Sequence, residues 1–144
     1  SMPALLAEKK KSCPPLRVIR HTVRSGQSTA TWTGINNARG TLIVTMDGDG
    51  QNDPADIGLL HKEYLGRGQG KIAVCGQRHK RQDNFLRRLS SRVANKVRAA
   101  ILQDGVRDTG CSLKLFRRED YLLLPFFNHQ HRFLPALLNG NEVA

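Results

Sequence analysis

An α/β fold, with a mostly parallel sheet flanked by helices, is what this sequence predicts, and three observations carry the prediction. Short apolar runs rich in β-branched residues alternate with stretches of helical periodicity along the chain. The clearest run, TLIVTM at residues 41–46, is almost continuously apolar, as strands covered by helices on both faces tend to be. That run opens directly into a polar loop, DGDGQNDP, at the strand end where open α/β sheets hold their ligands.

The elements follow in order. Residues 3–11 (PALLAEKKK) predict a helix whose last-turn lysines complement the negative end of its dipole, and Pro14 and Pro15 stop it. Residues 16–20 (LRVIR) read as a short strand. Gly26 marks a turn, and 27–38 a helix that Gly40 ends. After the 41–46 strand and its loop, Pro54 sits near the start of a helix over 55–66, a position proline favours. Residues 71–75 (KIAVC) are a further strand, followed by the basic stretch GQRHKRQD. An amphipathic helix over 83–102 places Phe85, Leu86, Leu89, Val93, Val97 and Ile101 at helical spacing, with arginines and lysine on the rest. Residues 111–116 (CSLKLF) form a fourth strand, and short helices near 118–124 and 131–139 complete the chain.

Composition bounds the function classes. A chain of 144 residues suits one domain with a modest core, and its longest apolar runs fall far short of a membrane span. Ser1-Met2 reads as a cloning scar rather than part of a signal peptide. Twenty-three Lys and Arg against twelve Asp and Glu give a net charge of +11, which calls for an anionic partner: nucleic acid, an anionic membrane surface or a phosphorylated small molecule. Cys13, Cys75 and Cys111 are widely spaced with no Cys-x-x-Cys pair, which argues against a zinc site or a disulfide framework and for a reducing, cytoplasmic compartment.

The loop after the 41–46 strand carries the chemistry. Alternate residues of an extended segment point to opposite sides, so Asp47 and Asp49 converge only through a turn, for which Gly48 and Gly50 supply the backbone freedom. Converging carboxylates suit Mg²⁺ or Mn²⁺ bridging the protein to a diphosphate. A solvated Asp-Gly turn is the plain alternative. A calcium loop of the EF-hand type fails, because Asn52 stands where glycine is needed and Gly58 where the closing glutamate belongs.

The segment MDGDGQNDPADIGLL resembles the Asp-x-Asp stretch of bacterial family-2 glycosyltransferases related to dolichol-phosphate mannose synthase. Four more segments match in the same order: SGQSTATWTGINNARG, VCGQR, RDTGCSLKLFRRE and HRFLPALLNGNEV. Together they cover most of residues 16–144 and imply a single, partial GT-A (Rossmann-like) domain over residues 1–144. They also imply inversion at the sugar carbon and a metal-dependent enzyme that moves sugar from a nucleotide-sugar donor to a polyprenyl phosphate. Carried over residue by residue, the resemblance puts Asp47 and Asp49 at the metal and donor, Asp49 as the more direct ligand, with Gln51 orienting the site. Arg78 would contact a phosphate, and Arg87 with Ser91, four apart on one helix face, another; paired planar donors suit guanidinium for this. For Arg87 a solvated helix face is an equal alternative. Asp108 has two readings, an acceptor-orienting or basic group and a turn or cap aspartate. His131 and Arg132 would flank the lipid phosphate, with a structural role at a helix start as the rival for His131. Trp32 and the three cysteines read as packing residues.

Two segments expected by the resemblance, a P-x-Y-N-E-type and an Asp-Asp-Gly-Ser-type strand end that would read the nucleotide base, do not occur in these residues. The expectation is a sheet edge left open beside the Asp47 strand, inviting a homo-oligomer or pairing with residues 16–20, and an unsettled activity for this chain alone. A lipid-phosphate acceptor would place the protein at the cytoplasmic face of the membrane as a peripheral partner, with the basic helix toward anionic headgroups. Two rivals remain. One is a basic nucleic-acid-binding module built on residues 78–96, which the charge allows but no accompanying motif supports. The other is an inactive glycosyltransferase fragment.

Overall fold

A computed structural model describes residues 2–68, 70, 72–76, 111–138 and 141–143. The order is helix α1 (Met2–Ser12), helix α2 (Gly26–Asn37), strand β1 (Leu42–Thr45), helix α3 (Asp56–Gly66), strand β2 (Ala73–Gly76), strand β3 (Lys114–Arg117), helix α4 (Arg118–Leu122), helix α5 (Gln130–Leu137) and strand β4 (Asn141–Val143). The helix expected over 83–102 lies outside the described residues.

The strands form one sheet in the order β1-β3-β2-β4. Helices cover both of its faces. Ile43, Ala73, Cys75 and Phe116 pack toward Ile35 of α2, Tyr121 of α4, and Leu134 and Leu138 of or just after α5. The alternate residues Val74 and Leu115, with Leu113 and Cys111, pack toward Leu60 and Tyr64 of α3. A period of two thus divides β1, β2 and β3 between two apolar layers, which is why they read as nearly continuous apolar runs.

The mostly parallel sheet expected from the sequence is not what these strands form. β3 runs antiparallel to both β1 and β2, with Thr45 opposite Lys114 and Ala73 opposite Phe116, and only β2 and β4 pair in parallel. A strand buried on both faces carries the same pattern in either direction, so composition could not reveal the reversal. Residues 16–20 also depart from expectation: they join no ladder, and Val18 and Ile19 are each 45% exposed. Leu16 N–H closes a turn onto the Cys13 carbonyl, and the Arg17 guanidinium reaches the Asn37 carbonyl at the end of α2. β1 pairs with β3 alone among the described strands, so its other edge is open there.

The α2 helix is closed at its C-terminus from a distance. Arg118, the first residue after β3, donates from Nε to the Ile35 carbonyl and from a terminal nitrogen to the Asn36 carbonyl, both at 3.0 Å. A guanidinium fork there satisfies two end carbonyls and opposes the negative end of the helix dipole. This clamp fixes α2 against the sheet and so sets where its first turn meets the end of β1.

Candidate functional site

β1 ends at Thr45, and the chain then bends through residues 48–50, with Gly50 at φ +80°, a conformation glycine adopts without strain. The Gln51 N–H donates to Asp49 Oδ1 at 3.1 Å, and the Ala55 N–H to Asp53 Oδ1 at 2.9 Å, so successive aspartates close the turns leading into α3.

Because β3 is antiparallel to β1, the residues that lead into β3 lie beside the end of β1, and Ser112 uses that position. Its hydroxyl accepts from the Asp47 N–H at 3.1 Å and from Asn52 Nδ2 at 2.8 Å, while its carbonyl accepts from Thr45 Oγ1 at 2.7 Å. Asn52 Oδ1 in turn accepts from the Cys111 thiol at 3.7 Å. Both ends of the 47–52 loop are therefore tied to one side chain.

The first turn of α2 reaches the same place. Gln27 Nε2 donates to Asp47 Oδ1 at 3.2 Å, and the Ser28 hydroxyl bonds His131 Nδ1 at 2.7 Å. Burial lowers the pKa of His131 most, and the cations Arg132, Lys114 and His129 push it the same way against a weaker opposing pull from Asp47. Lys114 is buried below this cluster, its ammonium on the Cys111 carbonyl. His131 follows His129, which stands at φ 66° in the left-handed region as the N-cap of α5.

Asp47 is half-buried, and Asp49 and Gln51 are exposed. Among the described residues no group of three or more His, Cys, Asp or Glu could hold a metal ion. Two carboxylates on one short loop are a partial donor set. That suits an ion such as Mg²⁺, which is held by one or two carboxylates plus substrate phosphates rather than by an all-protein cage. Next to Gln27, an open groove of about 1290 Å³ runs between α2 and residues 10–25. Lys10, Arg17, Arg20, Arg24 and Arg39 line it, with no carboxylate among the lining residues.

The family model Glycosyl transferase family 2 matches residues 1–123. The chain belongs to glycosyl transferase family 2. Among its relatives, the dodecaprenyl-phosphate galacturonate synthase of Rhizobium johnstonii is 38% identical over 125 residues, 87% of this chain and 37% of the relative. An undecaprenyl-phosphate 4-deoxy-4-formamido-L-arabinose transferase of Shewanella sediminis is 34% identical over 115 residues, 80% of this chain and 34% of the relative. That of Pseudomonas aeruginosa is 33% identical, again over 80% of this chain and 33% of the relative. The chain spans about a third of the length of these curated relatives.

In this family-2 glycosyltransferase chain, Asp47, Asp49, Gln51 and His131 gather at one end of the sheet. Arg132 is exposed beside His131. Arg78, Arg87, Ser91 and Asp108 lie outside the described residues. Sequence reasoning missed Ser112, Ser28 and Gln27 as site residues, although all three stood inside segments that carried the resemblance. Cys75 and Cys111 are buried as packing residues should be, but Cys13 is exposed and Trp32 is 42% exposed. For Trp32 the correction has a cause: it faces outward from α2 onto the edge of Phe126 rather than into the sheet.

Proposed function

We propose that the protein transfers a sugar from a nucleotide-sugar donor to a polyprenyl phosphate, with the donor diphosphate bound at the 47–51 loop through Mg²⁺ or Mn²⁺. The observation that carries this is the tethered loop itself: two aspartates just beyond the end of β1, in a loop tied at both ends by Ser112 and touched by α2 through Gln27. The relatives' names specify polyprenyl-phosphate acceptors, which is the acceptor class proposed.

Asp47 and Asp49 would hold the ion, with Gln51 beside them, and the ion would supply charge neutralisation on the leaving diphosphate. Gln27 orients Asp47, because its amide N–H takes one carboxylate oxygen and leaves the other for a ligand. The basic groove beside Gln27 adds a field that favours an anionic donor. A phosphate acceptor is already anionic near neutral pH, so the reaction needs no strong base. His131, held neutral by its surroundings, then serves as a hydrogen-bonding group toward the acceptor, with Arg132 supplying charge. Arg78, Arg87 and Ser91 take the remaining phosphate contacts in this reading, and Asp108 orients the acceptor. A GT-A arrangement at the cytoplasmic face of the membrane is the setting proposed.

Calorimetric titration of UDP-, GDP- and dTDP-sugars, with and without Mn²⁺, tests the reading on the wild type and on an Asp47→Asn/Asp49→Asn variant. Metal-dependent binding that disappears in the variant is the expected result. Donor binding that ignores both the metal and the substitutions would overturn the role of the loop.

A further inference from the structure

Ser28 lies in the first turn of α2 and His131 in the first turn of α5, and the 2.7 Å bond from Oγ to Nδ1 joins them across 103 positions of sequence. A hydroxyl and a neutral imidazole can share such a bond in two ways. In one, Nδ1–H donates to Oγ and leaves a lone pair on Nε2. In the other, the hydroxyl donates to Nδ1 and the ring proton sits on Nε2. The free end of the ring is a base in the first arrangement and a donor in the second.

Burial decides between them. Ser28 is 6% exposed, and among the described residues its hydroxyl bonds His131 and no other group. A helical serine can also bond a carbonyl one turn back, but Ser28 makes no such bond. Were Nδ1–H the donor, the hydroxyl's own proton would be left without an acceptor in a dry place, which the second arrangement avoids. The ring is also kept from holding both protons: burial lowers its pKa most, and Arg132, Lys114 and His129 add to this against a weaker pull from Asp47. His131 makes no further hydrogen bond among the described residues, so Nε2–H is left for a ligand.

We propose that Ser28 is a positioning residue: its hydroxyl holds His131 as the Nε2–H tautomer, so that the ring offers a donor to an oxyanion acceptor and no base to a hydroxyl acceptor. An alcohol must lose its proton as it attacks the sugar carbon, whereas an ionised phosphate oxygen has none to lose. The proposal rests on the reading of His131 as an acceptor-side group and deepens it, because the tautomer selects the acceptor chemistry. Gln27, the preceding residue, holds Asp47, so a single turn of α2 addresses both halves of the site.

The test is long-range ¹H–¹⁵N correlation of the imidazole rings at about pH 8, well above the ordinary histidine value. The sequence has five histidines, and a His131→Asn variant identifies the His131 signals by their loss. Expected in the wild type is a protonated Nε2 and an unprotonated Nδ1. Ser28→Ala should let the Nδ1–H form appear, and Ser28→Thr, which keeps the hydroxyl, should restore the wild-type pattern. Titrations then add inorganic phosphate, farnesyl phosphate or farnesol. Both phosphates should move the Nε2 signals and farnesol should not. Ser28→Ala should weaken farnesyl phosphate binding roughly fivefold, since the ring loses both its tautomer and its tether. A wild-type ring protonated at Nδ1 overturns the proposal. So does a ring pattern unchanged in Ser28→Ala, or Nε2 signals that neither phosphate moves. Nε2 signals moved by inorganic phosphate, with farnesyl phosphate binding no tighter, would support the role of Ser28 and count against the polyprenyl acceptor.

Discussion

The hydroxyl of Ser112 accepts the backbone N–H of Asp47 at 3.1 Å, across 65 positions of sequence. The same oxygen takes Asn52 Nδ2 at 2.8 Å, so one side chain spans the two ends of the carboxylate loop. Replacing it by alanine strands two donors in a half-buried place, at a cost of about 1–3 kcal/mol. The loop also loses the tie that holds Asp47 in register. Ser112→Ala should therefore weaken Mn²⁺ and donor affinity by roughly tenfold, about 1.4 kcal/mol, and Ser112→Thr, which keeps the hydroxyl, should restore much of it. Calorimetry with Mn²⁺ beside a denaturant titration separates the two effects. A Ser112→Ala protein that loses stability but binds metal like the wild type would reduce Ser112 to a packing residue.

His131 sets a pH dependence. Its folded pKa lies below the ordinary value of 6.5, chiefly through burial and then through Arg132, Lys114 and His129. The unfolded chain therefore takes up the proton first as pH falls. The histidine's contribution to stability is complete above about pH 6.5 and drains away as pH falls from there through the folded pKa. Unfolding free energy measured from pH 7.5 downward should show this slope in the wild type and lose part of it in His131→Asn. An unchanged slope would assign it to other groups.

Much of the fold was legible where a segment's own periodicity decided it. The helix expected over 27–38 is α2, and the strand over 41–46 contains β1, because helical spacing and a β-branched run are local signals. What failed was decided by partners. Residues 16–20 carry a strand-like composition but join no ladder, and β4, only three residues long and directly after an Asn-Gly pair, has almost no pattern to read. The direction of β3 depends on where the chain re-enters the sheet, which Lys114–Arg117 cannot encode. The site divides the same way. Asp47 and Asp49 stood out by spacing beyond a buried strand, whereas Ser112 and Ser28 matter through contacts 65 and 103 residues away.

Arg118 offers a test of how the sheet carries α2. Its guanidinium closes the Ile35 and Asn36 carbonyls, both at 3.0 Å, from a position directly after β3. Lysine carries its donors on one nitrogen at the end of a flexible stem and lacks the planar Nε and terminal-nitrogen fork that meets the two carbonyls here, so Arg118→Lys should lose much of what Arg118→Ala loses, about 1–3 kcal/mol. Because α2 also supplies Gln27 and Ser28, the variants should loosen amide exchange protection toward the C-terminal turn of α2 before the rest of the core. Protection unchanged along α2 would show that the clamp adds nothing to its packing.

Phe116 is the centre of the core on the site side of the sheet. It is fully buried, stands opposite Ile43 of β1 and Ala73 of β2, and stacks on Tyr121 with centroids 5.7 Å apart and planes at 25°. Removing the ring opens a cavity between the sheet and the helices α2, α4 and α5 that cover this face, with a cost of about 3–5 kcal/mol. Against a typical total of about 5–15 kcal/mol, Phe116→Ala should shift the denaturation midpoint far down. Phe116→Leu, which keeps most of the volume, should cost about 1–2 kcal/mol. Since β3 carries Ser112 just ahead of it, Phe116→Leu should also weaken Mn²⁺ affinity less than Ser112→Ala does while destabilising the fold comparably. The reverse ranking would mean that the loop is held by core packing rather than by the Ser112 hydroxyl.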